Sequence, residues 1–293
     1  MTYKYNKVYI DDCYSVAGNY ENDGPLSNYF DKKYKKDFYF KESNWEHAEV
    51  KLLKDSINGL LQKTHKKDKE INLLIAGDLQ NQIASSNYAL RDFDIPFLGI
   101  YNACSTLSEG LLIGSTFIES GKLKNCIVST SSHNMVAEKQ FRNPVEYGAP
   151  KPKTATFTAT GGVSILLSNN KSNIRIESST IGKVIDLGIK DVNNMGAVMA
   201  IAAADTLKRH FKDLNIKPDY YDLILTGDLG IYGKEILTEY LKDFGYDISK
   251  NYNDCGLILY DREKQSVFAG ASGPSSSALV LCSYILKEME RGK

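Results

Sequence analysis

Apolar residues along this chain occur in two patterns: short unbroken runs, and longer stretches where they recur at helical spacing, with glycine or proline between them. VYIDDCYSVAG (8–18) suits a strand, and Gly24–Pro25 breaks the chain after it. The Lys- and Tyr-rich segment from Tyr29 to Phe40 reads as an irregular, solvated excursion. NWEHAEVKLLKDSINGLLQKT (44–64) sets Ala48, Leu52, Leu53, Ile57, Leu60 and Leu61 on one helix face, with Asn44 as N-cap and His47 on the surface. INLLIAGDL (71–79) predicts a buried strand ending in Gly-Asp, followed by helical sequence from Gln82 to Leu90. FLGI leads through a turn at Cys104 into a helix reaching about Ser120, which Gly121 stops. NCIVSTSSHN (125–134) is a further buried strand, so Asp78, Cys104 and His133 all fall at strand C-termini, the edge where open parallel sheets collect ligands.

Beyond a proline-punctuated loop, EKQFRNPVEYGAPKPK (138–153), ATFTATGGVSILLS (155–168) reads as strand, glycine break, strand, and IRIESSTIGKVIDLG (174–188) continues strand-like. VNNMGAVMAIAAADTLKRHF (192–211) predicts a helix rich in small residues. YYDLILTGDLGIYGKEILTEYL (220–241) then echoes INLLIAGDLQNQIASSNYAL (71–90): each is an apolar strand ending in Gly-Asp-Leu that leads into helical sequence. CGLILY (255–260), SVFAG (266–270) and the turn SGPSSSA (272–278) feed an apolar helix, Leu279–Met289, in the order of FLGI, the Cys104 turn and its helix. Such self-similarity predicts a duplicated domain of the α/β class, with halves at 1–170 and 171–293 and helices over both sheet faces.

Composition narrows the function classes. In 293 residues, 36 basic and 36 acidic side chains cancel without a long run of either sign, which excludes an electrostatic footprint for nucleic acid or an anionic membrane. No signal-like segment or spanning run is present, so the expectation is a soluble chain made in the cytoplasm. Cys13, Cys104, Cys126, Cys255 and Cys282 are odd in number, widely spaced and free of CxxC pairs, and the four histidines do not cluster; neither disulfides nor a metal site is expected.

Cys104 is the candidate chemistry. A thiol at the first turn of a helix faces unpaired N–H groups and the positive dipole end, which favour thiolate and attract anions. It reads equally as a nucleophile, an anion site or a small buried hydrophobe.

GPL (24–26), AGDLQNQIASS (76–86), GIYNACSTLSEG (99–110), TSSHNMVAEKQFRNPVEYG (130–148), IGKVIDLGIKDVNNMGAVMA (181–200), YYDLILTGDLG (220–230) and NDCGLILY (253–260) together resemble the thiolase-like superfamily and, within it, the stage V sporulation protein AD family. The resemblance covers nearly all of the chain from about Val8. It implies a thiolase-like fold of duplicated α/β halves, with mixed sheets and layered helices (αβαβα). It also implies a role in moving dipicolinic acid (pyridine-2,6-dicarboxylate), free or as its calcium chelate, into the developing bacterial spore. Partners would be a second copy and membrane-embedded products of the same operon, which would hold the chain peripherally at the spore's inner membrane. Two departures qualify the match. The family's chain continues past the last helix into a further strand and loop, whereas this one stops at Arg291-Gly292-Lys293, so an incomplete second half is expected. Pro274 stands in a turn where the family tends to carry glycine and cysteine, and it fixes φ and removes a donor.

A condensing enzyme needs a second-half histidine or asparagine to polarise the acyl carbonyl, and the only histidine after Val136 is His210, far from any strand end. The expectation is therefore recognition without catalysis and with no cofactor, a Cys104-dependent acyl transferase of the ketoacyl synthase type being the alternative. A small aromatic dianion would use the N-terminus after Cys104 and Ser105, with His133, Lys139 and Arg142 for charge and Phe141 and Tyr147 for stacking. Asn194, Met195 and Gly196 open the small-residue helix, and Ser272 and Gly273 form the second-half turn. Against these stand plainer roles: His133 satisfying a buried carbonyl, Lys139 solvated, Arg142 in a surface or dimer ion pair, and Asp78 and Asp228 as turn and cap residues.

Overall fold

The computed structural model describes residues 1–141 and 150–292. In chain order it runs β1 (Thr2–Lys4), β2 (Tyr9–Ala17), α1 (Asn19–Asn22), β3 (Lys32–Lys33), α2 (Trp45–Lys63), β4 (Leu74–Gly77), α3 (Ala84–Leu90), β5 (Phe97–Gly99), α4 (Thr106–Glu119), β6 (Asn125–Ser132) and α5 (Asn134–Phe141). After it come β7 (Phe157–Thr158), β8 (Gly161–Ser168), β9 (Ile174–Arg175), β10 (Ser178–Thr180), α6 (Met195–Leu214), β11 (Ile224–Thr226), α7 (Gly230–Asp243), β12 (Tyr252–Asp254), α8 (Cys255–Ile258), β13 (Ala271–Ser272), α9 (Pro274–Val280) and α10 (Leu286–Glu290).

The main sheet has the order β3-β2-β8-β6-β4-β5, with β9 also on β2. Its β4–β5 and β4–β6 pairs are parallel, while β8 runs antiparallel to both β2 and β6, which makes the sheet mixed. Apolar residues occupy both faces because helices cover both. On β8, Ile165 and Leu167 join the central core while Leu166 joins the outer one; on β4, Ile75 faces the centre and Leu74 and Ala76 face outward. The outer core is closed by Leu53, Ile57 and Leu60 of α2. The central one is filled by Leu107 and Ile118 of α4 and by Ala278, Leu279 and Leu286 of α9 and α10.

A second, smaller sheet pairs β11 with β12 in parallel. Ile224 packs into a third core built on α6 and α7, while Leu225, the next residue, packs on the central core. Helix, sheet, helix, sheet and helix therefore stack in the five-layer α/β order expected above. At full burial, each of these Leu and Ile side chains contributes about 1.5–3 kcal/mol.

Local chemistry explains the element ends. Asn44 Oδ1 accepts the His47 N–H at 2.8 Å and caps α2. Gly121, at φ 75°, ends the turn after α4. Pro274 occupies the first turn of α9, where a missing N–H costs no helical hydrogen bond, so it starts the helix instead of disturbing it.

Three expectations need correction. In the 29–40 segment, β3 pairs with β2 and Phe30 and Phe40 are buried, Phe30 in the central core and Phe40 against Val16, Ala48 and Leu52. Residues 174–188 hold only the short β9 and β10, and Val184 and Leu187 are exposed instead of lining a strand. CGLI is a helical turn, since Asp254 caps it through the Gly256 N–H at 3.0 Å.

Candidate functional site

The two Gly-Asp-Leu corners lie at the ends of β4 and β11, and their carboxylates are used differently. Asp78 accepts from the Gln80 N–H (2.8 Å), the Ser86 N–H (2.7 Å) and the Ser86 hydroxyl (2.6 Å), so it holds the loop entering α3. Buried Glu49 lies beside it, accepting from Gln80 Nε2 and the Ser131 hydroxyl. Burial first, and then the charge of Asp78, push Glu49 well above the usual carboxylate range. Burial raises Asp78 as well, against the pull of its Ser86 and Gln80 donors.

In the second corner the capping work falls to a different residue. Asp254, fully buried at the end of β12, accepts from the Thr226 hydroxyl (2.6 Å) and from the N–H groups of Leu229, Gly230 and Gly256 (each 3.0 Å). Asp228 is thereby released from its expected turn-and-cap role. It is 7% exposed and meets the Cys104 thiol of the first half and the Gly273 N–H of its own half. Burial first, helped by the Asp254 charge, raises its carboxyl to about 6 against the opposing pull of the Cys104 thiol and the Gly273 N–H. Its Oδ2 is buried and lacks a hydrogen-bond partner among the described residues.

Cys104 sits in a single 3-10 turn, Ala103–Ser105, between β5 and α4, half-buried where the other four cysteines are buried. Ala103 takes φ 45°, a left-handed conformation unfavourable for a residue with a Cβ, in the turn that sets the thiol between the halves. Burial, then the negative charge of Asp228, push the thiol well above its ordinary value, against the pull of the Gly273 N–H. Gly273 has φ 84°, and a Cβ on it would meet the Thr158 methyl at 2.9 Å and the Ser132 hydroxyl at 3.2 Å. Only glycine brings its N–H this close to the thiol and the carboxyl.

The structure brings Cys104 and Gly273 together, and the other expected residues that it describes are engaged elsewhere. Ser272 lies in β13, and its carbonyl accepts the Ala159 N–H at 2.9 Å. The Ser105 hydroxyl turns back to the Asn102 carbonyl at 2.9 Å. Gly196 lies at the crossing of α6 with α7, where a Cβ would come within 2.3 Å of the Leu229 carbonyl, one residue from Asp228. Asn194 caps α6 through the Ala197 N–H, and Met195 is exposed. His133 is buried with Nε2 2.7 Å from the Phe38 carbonyl and Nδ1 accepting the Met135 N–H, and burial drives it down to about 4, which keeps it neutral. Ser132, one residue earlier, accepts the Ser275 N–H at 3.3 Å and so reaches the site. Lys139 pairs with Glu46 at 2.6 Å on the surface, and Phe141 is exposed. Arg142 and Tyr147 lie outside the described residues.

Sequence reasoning missed Asp228 as a site residue. Its signal was the repeat itself, since a second Gly-Asp-Leu at the same relative position invites the question of what the second carboxylate faces. Among the described residues, no group of three or more His, Cys, Asp or Glu could hold a metal ion, and no helix is long and apolar enough to cross a membrane.

Comparison with known proteins follows the same lines. Residues 2–293 match the family model described as stage V sporulation protein AD. A protein of that name from Bacillus subtilis (strain 168) is 46% identical over 286 residues, covering 98% of this chain and 84% of the relative. Among solved structures, cerulenin-bound OleA of Xanthomonas campestris superposes with a TM-score of 0.67 at 15% identity, covering 99% of this chain and 93% of that one. FabH, the 3-oxoacyl-(acyl carrier protein) synthase III of Xanthomonas oryzae pv. oryzae, gives 0.62 at 14% identity, with 99% and 93% covered. At these identities the solved structures show the thiolase-like fold alone.

Proposed function

The chain belongs to the stage V sporulation protein AD family, with a thiolase-like fold, and from that premise we propose that it recognises dipicolinic acid without transforming it. In this reading it assists uptake of the acid, free or as its calcium chelate, into the developing spore. It does so as the peripheral member of a complex with membrane-embedded proteins of the same operon. The observation that carries the non-catalytic part is the placement of Asp228 against Cys104. A nucleophilic cysteine needs a cation or an imidazolium to hold its thiolate, whereas a neighbouring carboxylate and burial both hold the proton on sulfur. The N–H of Gly273, and those that open α4, offer donors to a carboxylate, which suits binding. Titration of the protein with dipicolinate in a calorimeter tests the reading: a saturable heat is expected, and its absence at millimolar ligand would leave a purely structural scaffold.

One observation favours the second reading. Asp228 is itself a base beside a thiol, on a fold that FabH uses as a synthase. In that case Cys104 would take an acyl group from acyl-CoA, losing its proton to Asp228 and releasing CoA thiol. A stoichiometric acyl adduct on Cys104 by mass spectrometry would establish it.

We also propose a homodimer. The strand β5 ends the main sheet, pairing only with β4 among the described residues, and exposes Phe97 and Leu98. An unpaired apolar edge of this kind fits the same edge of a second copy. A dimer mass by light scattering is expected, and Phe97→Lys should shift it toward monomer.

A further inference from the structure

We propose that this site takes up its dicarboxylate together with one proton, held between a ligand carboxyl group and Asp228. The inference rests on the dipicolinate reading above. What carries it is an unmet acceptor: Asp228 is 7% exposed, and its Oδ2 is buried without a hydrogen-bond partner among the described residues. Among the described residues, four groups face this carboxyl. They are the Cys104 thiol from the turn before α4, the Gly273 N–H from the start of α9, the Asp254 carboxylate from β12 and the Cys255 thiol from α8. None of them is a cation. Asp254 is committed to the caps of α7 and α8, and the Cys104 thiol already holds its proton.

A dianion entering beside Asp228 would set two carboxylates together with no cation of the described residues between them, an arrangement that buried sites avoid. One proton shared between the two oxygens removes the repulsion and gives Oδ2 the donor it lacks, as carboxylate pairs in proteins do. The proton comes from solvent, and no covalent bond to carbon changes. Asp228 titrates near about 6 in the free protein, so above that pH it is charged and must gain the proton on binding. Affinity should then weaken about tenfold for each pH unit above about 6, and level off below it, where the proton is already bound. By the same linkage, dipicolinate raises the apparent titration point of Asp228.

The test is calorimetric titration with dipicolinate in metal-free solution at about pH 6 and about pH 8, each in two buffers of different ionisation enthalpy, which counts protons directly. The expected result at the higher pH is about one proton taken up per site, with Kd weaker by about a hundredfold than at the lower pH. Asp228→Asn, whose amide donates without a proton, should bind with no proton uptake and a Kd flat across the range. Equal affinity at both pH values with no proton taken up by the wild-type protein overturns the inference. Binding at the higher pH that requires calcium and takes up no proton also overturns it, in favour of a cation between the carboxylates. Saturable binding with unchanged proton uptake in Asp228→Asn leaves the dipicolinate reading standing and removes this one. No saturable heat at either pH removes both.

Discussion

The two Gly-Asp-Leu corners share sequence and position yet differ in what their aspartates do. Asp78 is a structural acceptor with three donors, and burial raises its neighbour Glu49 well above the usual carboxylate range. At the second corner, Asp254 takes over the donors, and Asp228 is left facing a thiol with one oxygen unpartnered among the described residues. A duplicated unit can thus hand its capping role to a neighbouring strand in one copy, which leaves the original residue free to face other groups.

Breaking the satisfied side should have the largest effect. Asp254→Ala leaves the buried N–H groups of Leu229, Gly230 and Gly256 without their acceptor, and a loss of about 3–5 kcal/mol in urea denaturation is expected, with Asp78→Ala close behind. Asp228→Asn should act in the opposite direction. Its carboxyl is raised in the folded state, so the wild-type protein is favoured at acid pH and loses stability as pH rises through about 6. The asparagine variant, which cannot ionise, should be about 2–3 kcal/mol more stable than wild type near pH 8, with the gain vanishing below about pH 4. A loss at pH 8 would show that the charge of Asp228 is satisfied after all.

Smaller effects sharpen the contrast at the sulfur. Cys104 should alkylate slowly with iodoacetamide at neutral pH, and Asp228→Asn should speed the reaction by about tenfold by removing the charge that holds the thiol protonated. Least of all, Lys139→Ala should change stability by less than about 1 kcal/mol, because its pair with Glu46 is exposed. An unchanged dipicolinate affinity in that variant would separate Lys139 from the site.

Much of the fold was legible because burial leaves a periodic trace. Alternate residues of β8 and β4 enter different cores, so runs such as GGVSILLS read as strands covered on both faces, and Leu52, Leu53 and Leu60 marked α2. The repeat announced two related halves. The 29–40 segment was misread because its lysines mask Phe30 and Phe40, whose burial depends on a sheet formed by distant sequence.

The sequence by itself determined the layered α/β architecture, the two corners and the cysteine between a strand and a helix, since each follows from spacing along a short stretch. Only the tertiary structure decided that Asp254 caps, that His133 is spent on the Phe38 carbonyl, and that Asp228 meets Cys104 and Gly273. Periodicity reports which side of an element is buried. A hydrogen bond between opposite halves depends on where two strand ends meet, and no local pattern encodes that.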